Sequence, residues 1–123
     1  MYKKNEDRKL FFNINLVITG KGGHSSVPYL TKNPIPAAFK LIQIINGKLL
    51  YDFNSFQNVS LYPLSFNSGT QQNIIPDEAL LTFHGECTNQ EEKEQLNEIV
   101  EKSIKAIENL YELKVESNYE NIQ

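Results

Sequence analysis

Apolar and polar residues alternate from Phe12 to Thr19. Phe12, Ile14, Leu16 and Ile18 fall on one side, Asn13, Asn15 and Thr19 on the other. A period of two marks a strand with one buried face. Val17 interrupts the polar side, so that side is expected to be partly covered. The strand leads into Gly20-Lys21-Gly22-Gly23-His24-Ser25-Ser26-Val27-Pro28, a loop rich in permissive residues. The period then changes. Asn33 is a predicted helix cap with Pro34 at the first helical position. Pro36 is tolerated because it is still in the first turn. Ala37, Ala38, Leu41, Ile42 and Ile45 follow at helical spacing, and Asn46-Gly47 is the predicted stop.

Tyr51 to Asn58 reads as a loop. Val59 to Phe66 reads as a second strand, and Pro63 within it predicts a sheet edge, because proline donates nothing to a ladder. Asn67 to Gln72 forms a turn or loop. Ile74-Ile75-Pro76 leads into a third strand, Glu78 to Cys87, with Ala79, Leu81 and Phe83 on one face. Thr88-Asn89-Gln90-Glu91 matches a capping box. The helix after it carries Leu96, Ile99, Val100, Ile107 and Leu110 as an apolar stripe, and a last strand runs from about Leu113 to Tyr119. The order β-α-β-β-α-β predicts an α+β, ferredoxin-like sandwich, a four-stranded antiparallel sheet with two helices on one face. Residues 1–9 are expected to be a flexible N-terminal segment and residues 10–123 the domain.

The chain has 123 residues, enough for one core and hardly two. Its formal charge of −3 opposes binding to phosphate backbones or anionic lipid, so neither nucleic acid nor membrane is an expected partner. The single cysteine excludes an internal disulfide and suits a reducing compartment, with a cytoplasmic location expected.

Local chemistry is sparse. His84 and Cys87 lie three apart on a predicted strand and face opposite ways, while His24 sits in a distant loop, so no metal site is expected. Cys87 has no sequence neighbour that would activate it. Ser25 and Ser26 lack a nucleophile-elbow context. The glycine loop is not a phosphate loop, since about ten residues separate it from the next helix. Its glycines do allow a tight backbone that presents His24, which locally reads either as a solvent-exposed bystander or as a presented donor. Asn73 reads either as a turn former or as a ligand contact. The topology places both at one end of the sheet, where they can flank one patch and donate hydrogen bonds to an oxyanion or carboxylate.

The run from Gly20 to Pro28, then Asn33-Pro34-Ile35, then Gly69-Thr70 with Asn73-Ile74-Ile75-Pro76-Asp77-Glu78-Ala79, resembles one family in order and spacing. It is similar to the lid, or dimerisation, domain of the dinuclear-zinc exopeptidases and amidohydrolases. These include aminoacylases, succinyl-diaminopimelate desuccinylase and N-acyl-amino-acid amidohydrolases. The resemblance covers about Leu10 to Tyr119. It implies a lid inserted in a larger catalytic domain that holds two zinc ions and a glutamate base. It implies pairing into a homodimer, for which the Pro63 edge strand is the expected seam. It also implies that His24 stabilises the oxyanion in the partner subunit's active site. Asn73, Gly69 and Thr70 are the implied substrate-binding residues. Two positions depart from the family pattern: Glu86 stands where many members carry an arginine that contacts a substrate carboxylate, and Tyr29 where many carry histidine.

The expected function is therefore a non-catalytic lid of a zinc-dependent peptidase or amidohydrolase that cleaves N-acyl amino acids or short peptides. The chain alone carries no zinc ligands or base and is expected to be inactive. The alternatives are a stand-alone ferredoxin-like interaction or small-molecule-binding module, or a degenerate remnant of such an enzyme.

Overall fold

The computed structural model describes residues 9–54 and 56–122. The expected flexible segment lies outside them, except for Lys9. The elements are β1 (Leu10–Thr19), β2 (Gly23–His24), α1 (Pro34–Asp52), β3 (Ser60–Asn67), β4 (Ile74–Ile75), β5 (Glu78–Cys87), α2 (Gln90–Tyr111) and β6 (Lys114–Ile122), with a 3-10 turn at Pro28–Leu30. Four strands form one antiparallel sheet in the order β3-β5-β1-β6. The alternation in β1 is realised: Phe12, Ile14, Leu16 and Ile18 are buried. In β5 their registered neighbours Ala79, Leu81 and Phe83 share that face. Ala37, Ala38, Leu41 and Ile45 of α1 and Leu96, Ile99, Val100, Ile104 and Ile107 of α2 close over it. This is the expected ferredoxin-like sandwich.

Pro63 lies on an edge strand, at a register shift between Pro63 and Ser65. A bulge there accommodates the missing N–H donor.

Several boundaries differ from expectation. Helix α1 does not stop at Asn46-Gly47 but continues to Asp52. Gly47 is on the outer surface, whereas Leu49 and then Phe53 pack against the core. Burial of those side chains outweighs the roughly 1 kcal/mol cost of a helical glycine. The cap of α2 is one residue later than the capping-box pattern suggested. Asn89 accepts from the Glu92 N–H at 2.8 Å, and Glu92 reaches back to the Thr88 N–H and hydroxyl at 2.9 Å each. Leu110 is exposed rather than on the stripe; Tyr111 turns inward in its place. Strand β6 extends to Ile122 because β1 offers a ladder partner as far as Phe11. Backbone pairing, not side-chain pattern, sets that end.

Candidate functional site

Beyond the sheet, the chain segment after β1 and the segment before β5 meet. Ile74 and Ile75 do more than lead into β5: they form the two-residue strand β4, which pairs with β2. Gly23 lies opposite Ile75 and His24 opposite Ile74. The Ser25 N–H donates to the Asn73 carbonyl at 2.9 Å. His24 and Asn73 therefore lie on one small ribbon, Asn73 opposite Ser25 and one position on from His24, both exposed. Asn73 has φ 64°, a left-handed conformation that asparagine accepts more readily than most residues.

The ribbon is pinned at its base. Asp77 accepts from the Gly20 N–H through its carbonyl at 2.8 Å and from the Gly22 N–H through its carboxylate at 2.9 Å. Lys21 and Lys32 exchange two backbone hydrogen bonds at 2.9 and 2.8 Å, tying the loop to the entry of α1. Any Cβ on Gly22 would lie 2.2 Å from the Ile75 carbonyl oxygen, so only glycine allows this approach.

His24 also has a local partner. The Ser26 N–H donates to His24 Nδ1 at 3.1 Å, and the Ser26 hydroxyl lies 2.7 Å from the same nitrogen. Asp77 and Ser26 were not among the sequence-derived site residues. Their signal was faint: a serine two residues after the histidine, and an acidic residue directly after Pro76.

Gly69 and Thr70 line a recess beside the ribbon, together with Gly22, Gly23, Ile74 and Pro76. Gly69 has φ +83°, a conformation natural to glycine. The Ser68 hydroxyl fastens the loop base to the Glu78 carbonyl at 2.7 Å. The four sequence-derived site residues thus fall in one region. Glu86 does not join them. It lies eight residues along β5 from Glu78, about 27 Å at strand rise, toward the opposite end of the sheet. There it faces Lys9 at 3.5 Å and His84 Nε2 at 3.3 Å. Tyr29 is on the exposed 3-10 turn.

The described residues do not fit a zinc site. Among the described residues no three His, Cys, Asp or Glu side chains converge. Cys87 is in the core, whereas His84 is on the open sheet face, bonded through Nδ1 to Asn13 at 2.8 Å. Burial, reinforced by the nearby Glu92 charge, pushes the Cys87 thiol above its ordinary value, which makes it a poor nucleophile.

Residues 8–112 match the family model for the peptidase dimerisation domain. The chain belongs to that family. The dimerisation domain is 36% identical over 64 residues to the N-acetylcysteine deacetylase of Bacillus subtilis, covering 52% of this chain and 17% of that protein. It is 30% identical over 109 residues to the succinyl-diaminopimelate desuccinylase of Orientia tsutsugamushi, covering 86% of this chain and 28% of that protein. The chain thus spans less than a third of the length of these relatives. In fold it matches a proposed aminohydrolase from methicillin-resistant Staphylococcus aureus, with a TM-score of 0.86 at 19% identity over 92% of this chain and 29% of that one. Among the described residues, no helix of the dimerisation domain is long and apolar enough to cross a membrane.

Proposed function

We propose that this dimerisation domain serves as the lid of a metal-dependent peptidase or amidohydrolase that hydrolyses an amide bond of N-acyl amino acids or short peptides. The observation that carries this reading is the β2–β4 ribbon, which holds His24 and Asn73 together on one anchored, exposed turn of chain at the end of the sheet. Attack on an amide carbonyl builds negative charge on its oxygen. A preorganised imidazole N–H aimed at that oxygen stabilises the charge as it develops. Asn73, with Gly69 and Thr70 on the neighbouring recess, holds the substrate. The two zinc ions and the general base belong to a catalytic domain outside this chain. A cytoplasmic location goes with this reading.

The lid pairs with a second copy of itself, and His24 acts in the partner's active site. The β3 edge is the seam. It carries exposed Leu64, and Phe39 of α1 lies above it against Phe66, with ring centroids 5.5 Å apart. The opposite edge, β6, is mostly polar, with Lys114, Glu116, Asn118 and Glu120. An apolar edge gains from being covered, and a charged one resists it.

The test is kinetic, in the full-length enzyme that carries this domain. His24→Ala lowers kcat by about 10²–10³ with little change in KM. Coexpression with a variant lacking the catalytic base restores turnover, because each mixed dimer keeps one intact composite site. Unchanged kcat would refute the oxyanion role, and failure of the mixed dimer would refute action in trans. This chain alone is expected to show no hydrolysis, with or without added zinc, and zinc-dependent turnover by the pure chain would refute the reading.

A further inference from the structure

The geometry around His24 decides more than its position. A main-chain N–H can only donate, so the Ser26 N–H contact at 3.1 Å makes His24 Nδ1 an acceptor. The Ser26 hydroxyl, 2.7 Å from that nitrogen, then donates to it as well. With Nδ1 held as an acceptor, the single proton of the neutral ring sits on Nε2.

The arrangement is built into the backbone. The Val27 N–H bonds to the His24 carbonyl at 3.1 Å, closing a four-residue turn over His24–Val27. The Ser26 N–H points back over this turn to the ring, much as an asparagine side chain is met in an Asx turn. Pairing of His24 with Ile74, and of the Ser25 N–H with the Asn73 carbonyl, holds the turn on the ribbon. The ring is thus oriented from its inner nitrogen, and among the described residues its outer one meets no hydrogen-bond partner.

We propose that Ser26 is the positioning residue of His24, holding the imidazole in the Nε2–H tautomer so that it presents a single outward hydrogen-bond donor. For an oxyanion stabiliser this is the useful form. The opposite tautomer would turn a lone pair toward the developing negative charge and repel it. The catalytic consequence rests on the lid reading above; the tautomer does not.

The experiment separates the two. In the ¹⁵N-histidine-labelled chain, at a pH where the ring is neutral, His24 shows an unprotonated Nδ1 and a protonated Nε2. A through-hydrogen-bond coupling links Nδ1 to the Ser26 amide. Ser26→Ala loses the hydroxyl and keeps the main-chain donor, so it raises the Nδ1–H population only in part, and Ser26→Thr, which keeps both donors, returns it to the parent level. His84, at the far end of β5, is the internal control, and its unchanged resonances report an intact fold. A protonated Nδ1 in the parent chain, or His24 spectra that superimpose for parent and Ser26→Ala, would overturn the proposal. In the full-length enzyme Ser26→Ala lowers kcat by about 10-fold with KM unchanged, and Ser26→Thr restores it. If the tautomer shifts as stated while His24→Ala leaves turnover intact, the lid reading fails and the positioning role of Ser26 stands.

Discussion

The Asp77 carboxylate accepts a hydrogen bond from the Gly22 main-chain N–H at 2.9 Å, across 55 residues of sequence. With the Gly20 N–H on the Asp77 carbonyl, it closes the base of the ribbon that carries His24. Asp77→Ala frees the Gly22 amide and is expected to cost about 1 kcal/mol of stability. Asp77→Asn keeps an acceptor and should recover most of it. Urea denaturation measures the loss, and amide exchange at Gly22 and Gly23 locates it. Slow exchange there in Asp77→Ala would show that the backbone ladder alone holds the ribbon.

The Glu92 carboxyl is buried at the start of α2. Burial alone would raise its pKa, but hydrogen bonds from the Thr88 N–H, the Gln57 amide and the Thr88 hydroxyl prevail and hold it below the ordinary carboxylate value. A depressed folded pKa gives stability that is fully present above the unfolded value and is lost as pH falls through the folded one. Thermal unfolding between neutral and acid pH should show this loss. Glu92→Gln should be less stable at neutral pH by about 1–3 kcal/mol and should show a shallower acid dependence. Parallel pH curves for the two proteins would refute the assignment.

Two glycines predict opposite signs. A Cβ on Gly85 would lie 2.3 Å from the buried Phe12 ring, so Gly85→Ala is expected to destabilise by about 1–3 kcal/mol. None of the described residues lies within 4 Å of a Cβ on Gly47 in α1, so Gly47→Ala is expected to stabilise by about 0.5–1 kcal/mol. Denaturation midpoints of the two variants settle both. A destabilised Gly47→Ala would show that a contact outside this chain uses that surface.

Dimerisation through β3 predicts a position-dependent response. Leu64→Lys buries a charge at the seam and should weaken association at least 10-fold, equivalent to about 1.4 kcal/mol. Asn118→Lys on β6 should leave association unchanged. Sedimentation equilibrium of both variants distinguishes the edges, and the reverse pattern would move the seam to β6.

The local pattern determined most of the frame. Period-two alternation marks β1 and β5, helical spacing marks α1 and α2, and Pro63 marks an edge, because each is a property of neighbours in sequence. The loop from Gly20 to Pro28 and the run from Asn73 to Ala79 pointed to the family and to His24 and Asn73. Tertiary structure decided what depends on distant partners. Helix α1 passes Gly47 because Leu49 and Phe53 find a core to pack on. Strands β2 and β4 have two residues each, too short for any period, and exist because the chain before β5 returns to meet the chain after β1. Pairing across that return brings Asn73 onto the ribbon of His24, gives Asp77 its hold on Gly22 and steadies the turn in which Ser26 meets the ring. It also leaves Glu86 near the other end of β5, with its own partners Lys9 and His84. Strand and helix are written in nearest-neighbour chemistry. The site is written in contacts that form only when the sheet is assembled.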